Sequence, residues 1–214
     1  MANANVGFGL KPINTAGSTP ATSGTNAYFI DSAASAIYQG SPVIATNGGE
    51  IAVSSSASGD TLKFVGVFAG CEYVSSSTGK KVFSNYWPGS GADTNFDIIG
   101  HVYDNPMQRF VICSDASLTN KAGAIATIFE GAEFSAESGK GAADGSTTTG
   151  ISAAQLDVST ADATDLSHPL KIVGILDDPE NADFTAAGIP LIVMINNHAL
   201  TAPATGGSAE GSIS

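Results

Sequence analysis

Apolar runs of strand length, separated by polar turns rich in Gly, Ser, Thr and Asn, follow one another along the chain. The most ordered of them, LKFVGVFAGCEY at 62–73, returns as LKIVGILDDPEN at 170–181. Both copies open with Leu-Lys, continue with an aromatic or β-branched residue, then Val-Gly and two more apolar residues. That pattern is expected of a buried strand with one close-packed glycine. A looser third version, IIGHVYDNP at 98–106, again follows its glycine with a short apolar stretch, Asp and Pro. One strand-and-turn design used several times predicts a β-rich chain.

The rest of the pattern fills in the elements. Strands are expected at 27–31 and 43–45, with Asn47-Gly48-Gly49 turning the chain back into 51–53 as a hairpin. A polar loop at 54–60 precedes the 62–74 strand. A turn at 75–79 leads to the aromatic-rich return at 80–87, a second hairpin. Further strands are expected at 96–103, 108–113, 170–176 and 190–196, the last with Met194 in its core. Alternation of small and apolar residues favours a strand over a helix at 122–129. Residues 152–166 are the best helix candidate, weakened by Asp, Ser and Thr. The Gly, Ala, Ser and Thr loop at 137–150 is longer than a compact domain tolerates unless exposed or bound to a partner. The expected architecture is mainly β: an antiparallel β-sandwich or partly closed β-barrel at 27–198, in one body or two similar lobes, with one minor helix. An extended N-terminal arm, 1–26, whose early apolar residues are Val6, Phe8, Leu10 and Ile13, and a small-residue C-terminal tail, 199–214, flank it.

Composition narrows the function. Charged residues are 13% of the chain, against roughly 25% in ordinary soluble domains, which suits a surface packed against neighbours. The net charge is −12 with a single arginine, Arg109, so a phosphate-binding surface and nucleic acid are set aside. The acidity points to solubility at high salt, or to repulsion that keeps the free protein from aggregating. Met1 to Leu10 carries no cationic start or signal-length apolar block, and no run approaches a membrane span, so a chain made in the cytoplasm that stays soluble is expected. Cys71 and Cys113 lie inside apolar runs and are expected to pack in the core as free thiols.

Candidate chemistry is sparse. Asp177, Asp178, Glu180 and Asp183 form the densest carboxylate group, but their spacing is not that of a calcium loop, and a solvated acidic turn accounts for them. His101, His168 and His198 have no second ligand at metal spacing. No Gly-x-Ser-x-Gly elbow or phosphate-binding glycine loop occurs; Gly89-Ser90-Gly91 and Gly139-Lys140-Gly141 lack the required frames. Tyr73, Phe83, Tyr86 and Trp87 suit cross-strand aromatic packing better than a carbohydrate platform. No catalytic residue, cofactor or metal is expected, and the chain is not expected to be an enzyme.

Phe8-Gly9-Leu10-Lys11-Pro12, Tyr28 to Ile30, Tyr38-Gln39-Gly40-Ser41-Pro42-Val43, Val65-Gly66-Val67-Phe68 with Gly70-Cys71, Trp87, and Tyr103-Asp104-Asn105-Pro106 with Phe110 together resemble the head-decoration, or capsid cement, proteins of tailed bacteriophages. The resemblance covers about the first half of the chain. It implies a structural virion protein, assembled in the host cytoplasm, that binds the outside of an assembled capsid and bridges neighbouring major capsid subunits. It further implies a homo-oligomer, a trimer at local three-fold positions or else a dimer. On this reading Val6, Phe8, Leu10, Lys11 and Ile13 of the arm are the capsid-contact candidates, with the 137–150 loop and the tail secondary. The alternative is a phage tail or fibre module that binds host-surface glycan. A major capsid subunit is disfavoured by the short chain and the lack of a long amphipathic spine helix.

Overall fold

The computed structural model describes residues 3–17, 24–54, 63–165 and 167–201. Leu62, the loop at 55–60, Leu166 and the tail from 202 onward lie outside the described residues. Among the described residues, twelve strands form two six-stranded antiparallel sheets, neither closed, in a β-sandwich. The strands are β1 (Lys11–Thr15), β2 (Asn26–Phe29), β3 (Pro42–Ala45), β4 (Ile51–Val53), β5 (Phe64–Val74), β6 (Lys81–Ser84), β7 (Ile99–Tyr103), β8 (Gln108–Cys113), β9 (Gly131–Phe134), β10 (Leu156–Asp162), β11 (Leu170–Ile175) and β12 (Pro190–Ile195). One sheet has the order β2-β7-β5-β3-β4, with β6 paired to the far half of β5; the other has the order β1-β8-β12-β11-β9-β10. The α-helix among the described residues is α1 (Lys121–Ala126).

The two halves of the chain share one topology. With β1 and β6 set aside, each sheet runs first, fifth, fourth, second, third strand of its half, all antiparallel. Each then curls so that the end of its first strand touches the start of its third. An isolated parallel bridge joins Ile30 to Ile51 in the first half and Ser114 to Leu156 in the second. Just before the fifth strand, the carbonyls of Ile98 and Ile189 accept from Ile30 N and Ser114 N, both at 2.9 Å. The chain is thus two lobes of like construction.

The Val-Gly repeat marks β-bulges. Phe64 faces Ile44 and Gly66 faces Val43, so Val65 is an extra residue; Ile172 faces Val193 and Gly174 faces Ile192, so Val173 is extra. A second bulge in β5 leaves Ala69 extra between Phe68 and Gly70. Each inserted residue resets the two-residue alternation and lets a strand change which neighbours face its sides. Phe64 and Val67 therefore enter a cluster with Phe110, Leu156, Ile172, Leu191 and Val193 of the second lobe. Val65, Phe68 and Cys71 enter a separate cluster inside the first lobe, with Ile37, Val43, Ile51, Trp87 and Val102. Gly66 is indispensable in this arrangement, because a Cβ there would lie 2.2 Å from the Tyr103 carbonyl oxygen.

Two expected elements exchange character. Residues 122–129 do not form a strand: Asn120 is the N-cap of α1, its side chain accepting from Gly123 N at 2.8 Å, and the alanines that follow favour helix. The helix expected at 152–166 is absent from its described part, 152–165: β10 occupies the centre, paired with β9, and the Thr160 hydroxyl accepts from Glu133 N at 3.0 Å. Short hydroxyl and carboxylate side chains bond readily to backbone in extended conformations, which is why they weaken a helix. Met194 is half-buried rather than central. The loop at 137–150 is packed on its own chain, with Ala142 buried and the Asp144 carboxylate accepting from Gly139 N and Gly141 N.

The two repeat glycines should respond differently to alanine. Gly66→Ala is expected to lower unfolding free energy by about 3 kcal/mol through the clash with backbone. At Gly174 the nearest atom to an added Cβ is Ile192 Cδ1 at 3.7 Å, ordinary contact, and Gly174→Ala should change stability by less than about 1 kcal/mol. Urea denaturation of the two variants measures both.

Candidate functional site

The N-terminal arm runs along the seam between the lobes. Gly9 N donates to Ala154 O at 3.2 Å and Leu10 N to Gly40 O at 2.9 Å, after which β1 joins the edge of β8 with Lys11 opposite Val111. Gly9 and Gly40 face each other with φ of 68° and 90°, and a Cβ on Gly9 would sit 2.6 Å from the Gly40 carbonyl oxygen. Only glycine permits both that backbone and that approach. The turn at Gly40 is itself tied to β5, Gly40 N to Phe68 O at 2.8 Å, and Gln39 N reaches Gly150 O at 2.9 Å. Where these segments meet, Phe8, Lys11, Pro12, Phe68, Tyr103 and Ile151 line a mostly apolar groove of about 600 Å³.

The five arm residues singled out by sequence do not share one face. Leu10 is 1% exposed and belongs to the core cluster of the second lobe, which Phe64 and Val67 also enter. Phe8 is half-buried in the groove, and Lys11 stands exposed at its rim. Val6, 71% exposed, and Ile13 on the outer strand β1 point to solvent. The arm is docked on its own chain at its tip as well. Asn3 Nδ2 donates to Asp183 O and Ala187 O, and Asn181 Oδ1 accepts from Ala4 N.

The acidic loop that receives the arm tip is built from local caps. Asp178 accepts from Asn181 Nδ2 at 2.7 Å and Glu180 N at 3.0 Å, and Asp183 accepts from the Thr185 hydroxyl and N–H. These bonds hold both carboxyls below the usual carboxylate range. Among the described residues no three His, Cys, Asp or Glu side chains converge in a manner able to hold a metal ion. His168 is buried between Glu133 (Nδ1, 3.5 Å) and Asp165 (Nε2, 3.7 Å), a pair of acidic neighbours rather than a ligand set. His198 is buried with Nδ1 accepting from Leu200 N at 3.1 Å, and burial pushes its pKa down. His101 lies half-buried on β7.

The aromatic group is packing. Trp87 is fully buried, donates Nε1–H to Ala34 O at 3.1 Å and meets Tyr73 edge-on at 5.3 Å. Tyr86 stacks on Tyr38 at 5.9 Å, and only Phe83 of the four opens widely to solvent, under the Lys81 ammonium. A device not read from the sequence lies at Asp104. Its carboxylate accepts from Tyr28 Oη at 2.6 Å and from Asn26 Nδ2 at 2.8 and 3.0 Å, fastening β2 to the end of β7. Burial and this bond push the Tyr28 hydroxyl up to about 12. The partners of Asp104 stand 76 and 78 residues earlier, so no local pattern around it signals them. No protein-family model, curated protein sequence or solved structure matches the chain.

Both cysteines are free and buried. Burial pushes the Cys71 thiol up to about 12, and it also raises Cys113, partly offset by the Gln155 amide bonded to its Sγ. The thiolate is the reactive form, so neither should react with Ellman's reagent in the native protein at pH 8, and both should react on unfolding. Cys113 Sγ contacts the Val6 carbonyl of the arm. Gly9→Val, which dislodges the arm, should therefore open Cys113 to the reagent while Cys71 stays protected, as read by mass mapping of the modified thiols.

Proposed function

We propose that the chain is a structural virion protein that binds the outside of an assembled phage capsid and bridges neighbouring major capsid subunits. The observation that carries this reading is the convergence of the segments that resemble decoration proteins. Phe8 to Pro12, Gln39 and Gly40, and Phe68 are far apart in sequence and line one groove at the seam of the lobes. Part of the resemblance thus falls on segments that build one feature, while Tyr28 to Ile30 and Trp87 lie elsewhere in the first lobe. A two-lobed β body with few charges and exposed apolar side chains on several surfaces, Val6, Ile13, Phe83, Met107 and Phe129 among them, also suits a bridging role. Several weak contacts made at once on an ordered lattice add up through effective concentration. In this reading the partner is the major capsid protein, the location is the capsid exterior, and self-association is a closed ring, a trimer or else a dimer.

Within the arm the contact residues are Val6, Lys11 and Ile13 with Phe8 at the groove, since Leu10 is committed to the core. Cosedimentation with phage heads that lack this chain tests the reading. The whole protein should bind saturably, and Val6→Asp with Ile13→Asp should weaken binding by about tenfold without loss of the β circular-dichroism spectrum. Saturable binding unchanged by the pair moves the contact off the arm. No binding to heads of any kind overturns the reading.

A further inference from the structure

The two lobes place different neighbours beside equivalent strands. In the second lobe the outer edge of the first strand, β8, is covered by β1. In the first lobe the first strand, β2, forms the edge of its sheet, and among the described residues no strand lies along its outer side beyond the single bridge at Ile30. The bridged residues Ile30 and Ser114 set the equivalence of the lobes, and three positions back from each are Ala27 and Val111. Val111 is the residue that faces Lys11 of β1. Because Ile30 N bonds towards β7, the alternation of an antiparallel ladder turns the N–H and C=O of Ala27 to the open side. Ala27 is exposed.

The path that the arm takes over the second lobe also has an equivalent in the first. Gly9 bonds to Ala154 O, two residues before the bridged Leu156; two residues before the bridged Ile51 is Gly49. At that place a groove of about 400 Å³ opens, lined by Phe29, Gly48, Glu50, Thr94, Phe96 and Asp97 among others. Phe29 and Phe96 are 52% and 56% exposed, and the charged lining groups are the two carboxylates, with no cation among them.

We propose that the outer edge of β2 and this groove form a docking site for an extended segment of a partner protein that carries lysine or arginine. Main-chain pairing at Ala27 supplies the strand addition, the two phenyl rings take apolar side chains and the alkyl stems of the cations, and Glu50 and Asp97 take their charge. The chain contains its own precedent, since the strand that covers the equivalent edge of the second lobe is extended and bears Lys11. A second copy's β2 (Asn26–Phe29) carries no cation to meet Glu50 and Asp97, so pairing with it would leave both carboxylates unmatched. This site does not depend on the virion reading.

The test uses the whole protein and a short end-blocked peptide of alternating lysine and valine, with a glutamate and valine peptide as control. Calorimetry should show saturable one-to-one binding of the lysine peptide alone, with Ala27 N–H newly protected from exchange. Glu50→Gln with Asp97→Asn should weaken it by about tenfold, and Ala27→Pro, which an edge strand tolerates, should abolish it. Phe96→Ser, on the loop before β7, should weaken it in a fold left intact. No saturable binding overturns the proposal. So does binding unchanged by all three variants, which marks general attraction to an acidic chain, and so does a concentration-dependent dimer lost in Ala27→Pro, which marks a second copy as the occupant.

Discussion

Strand β5 has to be buried on both faces, and most of the structure is a response to that requirement. Phe64, Val65, Val67 and Phe68 are all nearly inaccessible to solvent, and each such side chain contributes about 1.5–3 kcal/mol of burial relative to exposure. A regular strand would hand its residues strictly by turns to two sides. The bulges at Val65 and Ala69 break that alternation, so Phe64 and Val67 serve the core of the second lobe while Val65, Phe68 and Cys71 fill the first. The arm depends on the same strand at one remove. Leu10 packs in the cluster that Phe64 and Val67 enter, and the Gly40 turn that receives Leu10 N is held by Phe68 O.

Much of the fold was legible as local pattern: strand-length apolar runs, the Asn47-Gly48-Gly49 hairpin, the return after 75–79 and the buried cysteines. The repeat was legible too, but its meaning was not. A bulge exists only relative to a partner's register, so Val-Gly reads as a close-packed glycine until β3 and β12 are placed beside it. The sequence aligns Gly174 with Gly66, whereas the topology aligns it with Gly70. Gly70 and Gly174 each follow the extra residue opposite the fifth strand of their lobe, and Gly66 follows the one opposite the second. The exchanged helix and strand have a similar cause. The Ala and Gly residues at 122–126 fit either period, and the Asn120 cap decides; the Asp, Ser and Thr residues of β10 have weak preferences of their own, and pairing with β9 decides.

The candidate site was legible only in part, because its geometry is non-local. Phe8, Lys11, Gln39 and Gly40 are ordinary turn and arm residues in sequence, and they meet only because two glycines with positive φ allow two backbones to touch. The arm's apolar residues looked like one set for one partner. They divide instead, since pairing β1 with β8 fixes a register in which Leu10 turns into the core and Ile13 turns out. Asp104 shows the same limit from the polar side. Its partners Asn26 and Tyr28 come from a strand nearly eighty residues earlier, and nothing near Asp104 announces them.

A two-lobed chain with a single N-terminal arm faces an asymmetry of its own making. Each lobe ends its sheet in an equivalent first strand, and one arm covers one of the two. An uncovered edge carries unpaired backbone groups and invites pairing with other chains. Short length is one protection, and β2 has only four residues. Charge adds a preference: Glu50 and Asp97 line the groove beside its end with no cation among the lining residues, so a partner strand that brings cations is better matched there than an acidic one. Asn26 and Tyr28 are tied to Asp104, which fixes the strand from the β7 side. On the docking proposal, backbone pairing at β2 would supply the affinity and the Glu50 and Asp97 carboxylates the choice of partner, because a strand without cations would leave them unmatched.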